Sequence, residues 1–270
     1  MSTNEHSNGA AAPDAIILAA GKGTRMGGEG DDALPKVLHT VAGRPMLFWV
    51  VRACKEAGAE RIVIVVGYRA DLVRQQFIGE SGCIFVDQNE QLGTGHATRT
   101  AQPQFEQLPP RDVFVLAGDG PLIRGKTLLR LLEIHRRRRS AATLATSVLS
   151  DPAGYGRIIR TAGGEFEDII EEKDATAAQK KIGEVNPSYY CFRSDLLFSA
   201  LADVENRNAA GEYYLTDVPA LLKKRGETVT VVEAVPPSDV LGINTPEDLA
   251  KVDRLMRDRV SMAAIAGGKP

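Results

Sequence analysis

The sequence predicts an α/β fold whose Rossmann-like central sheet is mixed but mostly parallel and is flanked by helices. Short apolar runs rich in branched residues, such as residues 61–66 (RIVIVV), alternate with stretches of helical character. This alternation is typical of strand–helix–strand units with parallel strands. Later in the chain, residues 156–161 and 166–172 flank Ala162-Gly163-Gly164, which indicates an antiparallel hairpin. The sheet should therefore be mixed at that end.

Each predicted element rests on its local pattern. Strands are bounded by glycine, proline and polar turn residues, and the last helix begins with Thr245-Pro246-Glu247-Asp248, a capping sequence. The predicted strands are residues 15–20, 61–66, 83–86, 112–119, 141–149, 156–161, 166–172, 185–192 and 228–234. The predicted helices are residues 45–57, 70–78, 93–101, 126–139, 213–225 and 245–259.

Composition and charge set broad limits on function. A chain of 270 residues with 43% hydrophobic residues can bury the core of one large domain or two small ones. The formal net charge of -2 gives no overall field that would attract nucleic acid or an anionic membrane. We therefore expect neither nucleic acid nor a membrane as a partner.

Targeting signals and cysteine spacing bear on the compartment. Residues 1–12 lack the basic and apolar parts of a signal peptide, and the longest apolar run, residues 61–67, has the length of a buried strand. Cys54, Cys83 and Cys191 are widely separated and match neither a disulfide framework nor a zinc pattern. We expect buried thiols and a cytoplasmic protein.

The loop after the first predicted strand, residues 21–32, is rich in glycine and is accompanied by Lys22, Arg25 and Lys36. Ligands of open parallel sheets bind beyond the carboxyl ends of the strands. There, glycine lets backbone N–H groups approach phosphate oxygens, and cations neutralise the phosphate charge. The alternative is an ordinary glycine turn with solvated cations. Because the spacing matches neither the Walker loop nor the dinucleotide fingerprint, the loop predicts phosphate binding without naming a ligand.

Eight short motifs carry a resemblance to a known family. In chain order they are residues 18–26 (LAAGKGTRM), 34–39 (LPKVLH), 91–97 (QLGTGHA), 118–122 (GDGPL), 155–158 (YGRI), 171–176 (EEKDAT), 212–217 (EYYLTD) and 242–244 (GIN). With these motifs the chain closely resembles the uridylyltransferase domain of bacterial N-acetylglucosamine-1-phosphate uridylyltransferases, over about residues 15–257. The resemblance implies the nucleotide-diphospho-sugar transferase fold of the sugar nucleotidyltransferase superfamily.

Composition and sequence pattern, together with the resemblance, predict a domain organisation. We expect a disordered leader over residues 1–13, a nucleotide-binding half over 14–150 and a sugar-binding half over 151–245. A closing helix over residues 245–260 and a short tail over 261–270 should follow. The bifunctional relatives continue into a left-handed β-helix that acetylates glucosamine 1-phosphate and builds a trimer. Since this sequence ends without that element, we expect neither the acetyltransferase activity nor the β-helix trimer, and the oligomeric state stays open.

Asp119 and Asn244 are candidate metal ligands. Asp119 ends a predicted buried strand, where a carboxylate can coordinate a hard cation that also binds phosphate oxygens; it could instead open the turn before Pro121. Asn244 alone would suit a turn or a helix cap. The resemblance implies that Asp119 and Asn244 together hold Mg²⁺.

The resemblance implies a UTP site on the loop that follows the third predicted strand, with Gln91, Gly93 and Thr94 in contact with uracil. Gln88, Gln91, Gly93 and Thr94 offer amides and small residues suited to the edge of a pyrimidine, although Gly93-Thr94 could simply begin a helix. His96 we interpret as a packing or loop residue, because nothing in the expected chemistry requires a general base. The family's remaining nucleotide-binding positions correspond to Leu18, Ala19, Ala20, Gly21, Gly23 and Thr24. Its catalytic positions correspond to Arg25 and Lys36, and its phosphate-binding positions to Lys22 and Lys173.

The sugar site is implied by three further positions. Gly156 lies between strand-like segments, where glycine permits a close approach of backbone to ligand or forms a simple bulge. By resemblance, Gly156, Glu171 and Asn186 contact the hydroxyl and acetamido groups of the sugar. The chain departs from the family pattern at residues 27–34, which are longer and more acidic, and at Pro187-Ser188, where the family has Thr-Gly.

The expected reaction needs positioning and charge neutralisation rather than a catalytic triad. We expect an oxygen of the sugar 1-phosphate to attack the α-phosphorus of UTP in line, giving UDP-N-acetylglucosamine and pyrophosphate. Two alternatives stay open. One is the same reaction with another sugar 1-phosphate or nucleoside triphosphate, and the other is a non-catalytic subunit that binds nucleotide sugars.

Overall fold

The computed structural model describes residues 11–23 and 33–265. Within this part of the chain, nine strands form one sheet and two short strands form a separate hairpin. The strands are β1 (Asp14–Ala19), β2 (Thr40–Val41), β3 (Arg44–Pro45), β4 (Arg61–Val66), β5 (Cys83–Asp87), β6 (Asp112–Ala117), β7 (Ala142–Val148), β8 (Gly156–Arg160), β9 (Phe166–Ile170), β10 (Glu184–Arg193) and β11 (Val229–Glu233). The helices are α1 (Met46–Glu56), α2 (Ala70–Gln76), α3 (Thr94–Thr100), α4 (Gly125–Arg138), α5 (Ser194–Leu201), α6 (Asp217–Lys224) and α7 (Pro246–Ile265).

The central sheet has the order β11-β7-β10-β6-β1-β4-β5. Parallel pairing joins β6, β1, β4 and β5 in one group and β7 and β11 in another. Between the two groups, β10 runs antiparallel to β6 and to β7, and the β8–β9 hairpin continues from β10. The predicted mixed, mostly parallel sheet flanked by helices is confirmed.

Two apolar layers cover the sheet because neighbouring side chains on a strand point to opposite faces. In β1, Ile17 packs in the cluster that includes residues of α1 and α4, whereas Ile16 packs in the cluster that includes residues of α5 and α6. Both isoleucines are fully buried. This two-sided burial explains why β1 and β4 appear in the sequence as continuous apolar runs.

Helix α7 closes the molecule over a third apolar cluster, where Val252 and Met256 pack with Trp49. The predicted capping box is present. Asp248 N–H donates to Thr245 Oγ1 at 3.1 Å, and Thr245 N–H donates to Asp248 Oδ2 at 3.0 Å. The two bonds fix the start of α7, which continues to Ile265 rather than ending near residue 259 as predicted.

Two stretches differ from the predicted elements. The helix predicted over residues 213–225 begins only at Asp217, because Tyr213 N–H donates to Leu92 O at 2.8 Å and Tyr213 O accepts from Gly95 N–H at 2.7 Å. Tertiary pairing therefore replaces the first helical turn. Helix α5 was missed, although Leu197 and Leu201 of its buried face recur at helical spacing.

The thiols and helices bear on the other predictions. Cys54 and Cys191 are buried, Cys83 is partly buried, and all three are free. Among residues 11–23 and 33–265, no helix has the length and apolar character that a bilayer crossing requires. Residues 1–10 of the predicted leader and 266–270 of the predicted tail lie outside the described residues.

Candidate active site

A cleft opens beyond the carboxyl ends of β1 and β6, where the sheet topology places ligands. It consists of two adjoining cavities of about 370 Å³ and about 170 Å³. The residues that line both cavities are Ala117, Asp119, Glu171 and Ser188. Because Asp119 and Glu171 lie at this junction, a ligand that extends through both cavities passes two carboxylates.

The larger cavity holds most of the residues predicted to bind the nucleotide. Leu18, Ala20, Gly21, Gln88, Gln91, Gly93 and Thr94 line it. Ala19 does not, because its side chain is 1% exposed and packs in the core with α1. Its place in the site is therefore limited to the backbone. Gln91 Nε2 donates to Ala20 O at 2.9 Å, which ties the loop after β5 to the end of β1.

Gln88 is the most constrained side chain of this cavity. It is 4% exposed, and its Nε2 donates to Gly93 O at 3.3 Å and contacts His96 Nδ1 at 3.0 Å. Both amide N–H groups are thereby directed into the protein, which leaves carbonyl Oε1 as the polar atom that Gln88 can present to a ligand. His96 is a partly buried residue of α3, and this contact orients the Gln88 side chain.

Gly93 allows the loop to approach the segment before α6. Its φ is +106°, and a methyl group at this position would lie 2.6 Å from Tyr213 O and 2.8 Å from Glu212 Cβ. Thr94 Oγ1 accepts the N–H of Leu215 at 3.0 Å. Glu212, Leu215 and Thr216 consequently form a wall of the larger cavity.

Lys36, Asp119 and Asn244 meet at the middle of the cleft. Lys36 Nζ donates to Asp119 Oδ2 at 2.5 Å and to Asn244 Oδ1 at 3.3 Å, although these residues are far apart in sequence. The stem of Lys36 packs on Gly23, where an added methyl group would lie 2.5 Å from Lys36 Cβ. One carboxylate oxygen and one amide oxygen thus point at the ammonium group of Lys36.

The helix cap of α7 positions Asn244. Its backbone N–H donates to Asp248 Oδ2 at 3.0 Å, beside the bond from Thr245. Burial acts to raise the pKa of Asp248, but the hydrogen bonds from Asn244 and Thr245, together with the charge of Lys251, outweigh it and lower the pKa. Asp248 is therefore a stable acceptor, and a sequence feature recognised as a cap also places a candidate ligand.

The smaller cavity contains the predicted sugar-binding residues. Gly156, Glu171 and Asn186 all line it. Asn186 is buried, and its Nδ2 donates to Tyr190 Oη at 2.6 Å. Glu171 accepts from Thr216 Oγ1 at 3.1 Å. A methyl group at Gly156 would lie 3.6 Å from Glu171 Oε2 and 3.7 Å from Asn186 Cβ, so the three residues are immediate neighbours.

Burial raises the pKa of Glu171, and the carboxylates of Asp174 and Glu212 raise it further, whereas the bond from Thr216 lowers it. The net pKa is above the usual value. Such an acid accepts hydrogen bonds from hydroxyl or amide groups and, in its neutral form, can also donate one. This chemistry suits a polar, uncharged part of a ligand.

Ser188 stands out at the junction of the cavities. It has φ of +62°, a conformation that costs non-glycine residues free energy. Its N–H donates to Asn186 Oδ1 at 3.2 Å, and the pairing of β10 with β7 is irregular between Val185 and Tyr189. The local bulge turns Ser188 into the cleft, and serine here narrows a position where glycine would leave more space.

The other predicted cations are not gathered at the cavities. Lys22 Nζ lies 5.1 Å from the ring centroid of Tyr68, and Lys173 is exposed; neither lines the two cavities. Thr24, Arg25 and residues 27–32 of the acidic stretch lie outside the described residues. The predictions for Thr24 and Arg25 stay predictions.

Several residues of the cleft were not predicted. The hydroxyl of Tyr190 bonds to Asn186, and that of Thr216 bonds to Glu171. The hydroxyl of Tyr155 lies beside Gly242, as does the amide of Asn244. Tyr155 and Thr216 belong to the motifs YGRI and EYYLTD, so the motifs were found but not these side chains. Their partners lie on other elements, and local sequence patterns carry no signal for such contacts.

Asp217→Asn is expected to stabilise the protein above about pH 6. Burial raises the pKa of Asp217 to about 6, and Asp168, Glu171 and Asp174 raise it as well. Since this pKa exceeds its unfolded value, folding stability should fall as the pH rises from about 4 to about 6 and stay lowered above that range. After a discount for partial exposure, the variant should gain about 1 kcal/mol near neutral pH.

Urea unfolding of Asp217→Asn and of the wild type at acidic and neutral pH measures this gain. Asp195→Asn is the matched control, because Asp195 also lies in the first turn of a helix but pairs with Arg193 at 2.7 Å. A gain for Asp217→Asn that is the same at both pH values would contradict the prediction.

Comparison with known proteins identifies the class to which this fold and cleft belong. The family described as the MobA-like NTP transferase domain matches residues 15–216, and the chain belongs to this family. Similar proteins include those named bifunctional protein GlmU. The protein from Geotalea daltonii is 41% identical over 254 residues, which cover 94% of this chain and 54% of that protein. The protein from Pelotomaculum thermopropionicum is 46% identical over 246 residues, covering 91% of this chain and 52% of that protein.

The chain thus spans about half the length of the curated relatives it matches. Among solved structures, a UDP-glucose pyrophosphorylase complexed with UDP-glucose superposes with a TM-score of 0.73. The match covers 92% of this chain and 100% of that chain at 17% identity. Because that identity is low, this structural likeness concerns the fold, and it agrees with the predicted nucleotide-diphospho-sugar transferase fold.

Proposed function

We propose that this chain transfers the uridylyl group of UTP to N-acetylglucosamine 1-phosphate. One observation carries the proposal: two adjoining cavities, one lined by Gln88, Gln91 and Gly93 and the other by Gly156, Glu171 and Asn186, share Asp119, which bonds to Lys36. A nucleotide and a sugar phosphate in these cavities would meet at Asp119. The similarity to proteins named bifunctional protein GlmU supports a nucleotide-sugar product.

Gln88 supports uridine as the base. Its two amide N–H groups are directed to Gly93 O and His96 Nδ1, so Oε1 is the acceptor that these contacts within residues 11–23 and 33–265 leave for a ligand. Uracil presents an N–H at the ring position where cytosine presents a lone pair, and an acceptor therefore favours uracil. In this proposal Gln91, Gly93 and Thr94 complete the base site, residues 18–23 approach the ribose and phosphates through their backbone, and Thr24 is a further proposed nucleotide contact.

The reaction requires one bond to form and one to break. A phosphate oxygen of the sugar 1-phosphate attacks the α-phosphorus of UTP, and the bond from that phosphorus to the oxygen bridging to the β-phosphate breaks, releasing pyrophosphate. Lys36 would neutralise charge on the phosphates, and Arg25, Lys22 and Lys173 are proposed to assist it. Since a phosphate monoester is nucleophilic at neutral pH, no general base is needed, and the cleft provides positioning and electrostatic stabilisation.

Asp119 and Asn244 fit a magnesium ion. Asp119 Oδ2 and Asn244 Oδ1 both bond to the Lys36 ammonium, so two hard oxygen donors already face one cation. A carboxylate and an amide oxygen suit Mg²⁺, which is usually bound by one or two carboxylates together with substrate phosphates. When bound, Mg²⁺ would withdraw charge from the phosphate oxygens.

For the sugar, one observation favours a second candidate substrate. Glu171 and Asn186 offer partners for hydroxyl and acetamido groups, but Ser188 narrows the junction where the family pattern has glycine. A sugar 1-phosphate with a smaller substituent than acetamido is therefore the second candidate. We also propose a cytoplasmic location, in agreement with three free thiols.

Pyrophosphate release with a panel of substrates tests the proposal. UTP with N-acetylglucosamine 1-phosphate and Mg²⁺ should give the highest kcat/KM, with CTP at least about tenfold lower because it lacks the N–H that faces Gln88. Glucose 1-phosphate and glucosamine 1-phosphate test the sugar. A preference for another triphosphate would overturn the base assignment, and binding without any pyrophosphate release would indicate a non-catalytic subunit.

A further inference from the structure

Tyr155 joins the two sides of the smaller cavity through its phenol group. The phenol O–H donates to Val240 O at 2.8 Å, and Tyr155 Oη accepts the N–H of Gly242 at 2.9 Å. These partners lie 85 and 87 positions further along the chain. One hydroxyl therefore binds both a carbonyl and an N–H of the segment that leads into Asn244.

The segment held by Tyr155 determines where Asn244 lies. A methyl group on Gly242 would be 3.5 Å from Tyr155 Oη and 3.6 Å from Asn244 Nδ2, so the phenol and the Asn244 amide approach the same backbone position. On its other side, Asn244 is fixed by the bond from its N–H to Asp248 Oδ2. Tyr155 and Asp248 thus constrain the backbone before and after the candidate metal ligand.

Tyr155 is itself held firmly on the sugar side. Arg157 is 1% exposed, donates from Nη1 to Tyr155 O, and forms an ion pair with Glu172 at 2.7 Å. The ring of Tyr155 packs against the core cluster. Gly156, a candidate sugar contact, is the next residue in the chain. A rigid anchor therefore links this contact to the backbone beside Asn244.

We propose that Tyr155 is a positioning residue that sets the placement of Asn244 relative to Asp119, and so the affinity of the cleft for a divalent cation. The inference rests on the proposed function. Direct recognition of the sugar is a weaker role for the phenol, because its hydrogen and one of its lone pairs are already used by Val240 and Gly242. Through its bonds to the segment before Asn244, Tyr155 connects Gly156 of the sugar site to the candidate metal ligand.

Tyr155→Phe keeps the ring and removes both hydrogen bonds. We expect the Mg²⁺ concentration for half-maximal turnover to rise about tenfold, as loss of two hydrogen bonds would allow, with KM for UTP changed by less than about twofold. Independently of turnover, electron paramagnetic resonance of free Mn²⁺ measures cation binding to the protein with UTP and without sugar phosphate. The Mn²⁺ dissociation constant should rise by the same factor.

Tyr214→Phe is the matched control, since it removes a phenol bond to Asp174 (3.3 Å) away from Asn244 and should leave Mn²⁺ binding unchanged. Thermal unfolding is recorded for each variant, and binding is measured well below the transition. The proposal is overturned if Tyr155→Phe binds Mn²⁺ like the wild type, if only KM for the sugar phosphate changes, or if the variant does not fold at all. Failure of the proposed function is a separate outcome, seen as absent turnover in the wild type.

Discussion

Asp119→Asn is expected to lower magnesium-dependent turnover by about two to three orders of magnitude while the protein stays folded. The substitution keeps the shape of the side chain but removes the charge that faces Lys36 Nζ at 2.5 Å and that would bind the metal. The side chain of Asp119 is 33% exposed, so folding does not depend on a buried charge there. Turnover is measured as pyrophosphate release over a series of Mg²⁺ concentrations, and folding by circular dichroism.

Asp87→Asn is the matched control for Asp119→Asn. Asp87 is the last residue of β5, a strand of the parallel group, and like Asp119 it pairs with a cation, here Arg74 at 2.6 Å, but it does not line either cavity of the cleft. Its loss should therefore leave turnover close to that of the wild type. Equal activity of the two variants would exclude Asp119 from the reaction centre.

Gly93→Ala is expected to have the largest combined effect on stability and nucleotide affinity. The new methyl group would lie 2.6 Å from Tyr213 O and 3.0 Å from Tyr213 N, in a residue with φ of +106°. Backbone atoms cannot move aside as a flexible side chain can, so we expect a loss of about 2–4 kcal/mol in the free energy of unfolding. Because Gln88 bonds to Gly93 O, KM for the nucleotide should rise about tenfold or more.

Gly79→Ala separates the two causes of this effect. Gly79 has φ of +82° but no atom within 4 Å of an added methyl group, so this variant measures the cost of positive φ alone, about 1 kcal/mol. Urea unfolding and initial rates are compared for the two variants. If Gly93→Ala and Gly79→Ala had the same free energy of unfolding and the same KM for the nucleotide, the close approach of Gly93 to Tyr213 would have no role in the base site.

Local patterns were sufficient for much of the fold. The run at residues 61–66 became β4 with the same bounds, because a short apolar run of branched residues is stable only when both faces are buried. The cap at Thr245 and Asp248 formed as predicted, because its partners are three residues apart. Asp119 lies just beyond β6, since the end of a strand run can be located in the sequence.

Patterns of the same kind failed where distant segments compete. Residues 213–216 have helical character in the sequence, but the backbone of Tyr213 pairs with the loop at Leu92 and Gly95 instead. As the first residue of the predicted helix, Tyr213 would have no acceptor for its N–H within the helix, whereas the pairing with the loop satisfies both its N–H and its C=O. In this arrangement Thr216 Oγ1 donates a hydrogen bond to Glu171 Oε1.

The sequence by itself determined the α/β class, the alternation of strands and helices, and the family motifs that name candidate residues, because each depends on residues close together in the chain. Only the tertiary structure decided that Lys36 Nζ bonds to both Asp119 and Asn244, that Tyr155 binds the backbone of Gly242, and that Glu171 lines both cavities. These contacts join segments 83 to 208 residues apart for Lys36 and 87 apart for Tyr155. Their geometry follows from β10 inserting antiparallel between β6 and β7 and from α7 closing over the third apolar cluster, both of which are set by packing.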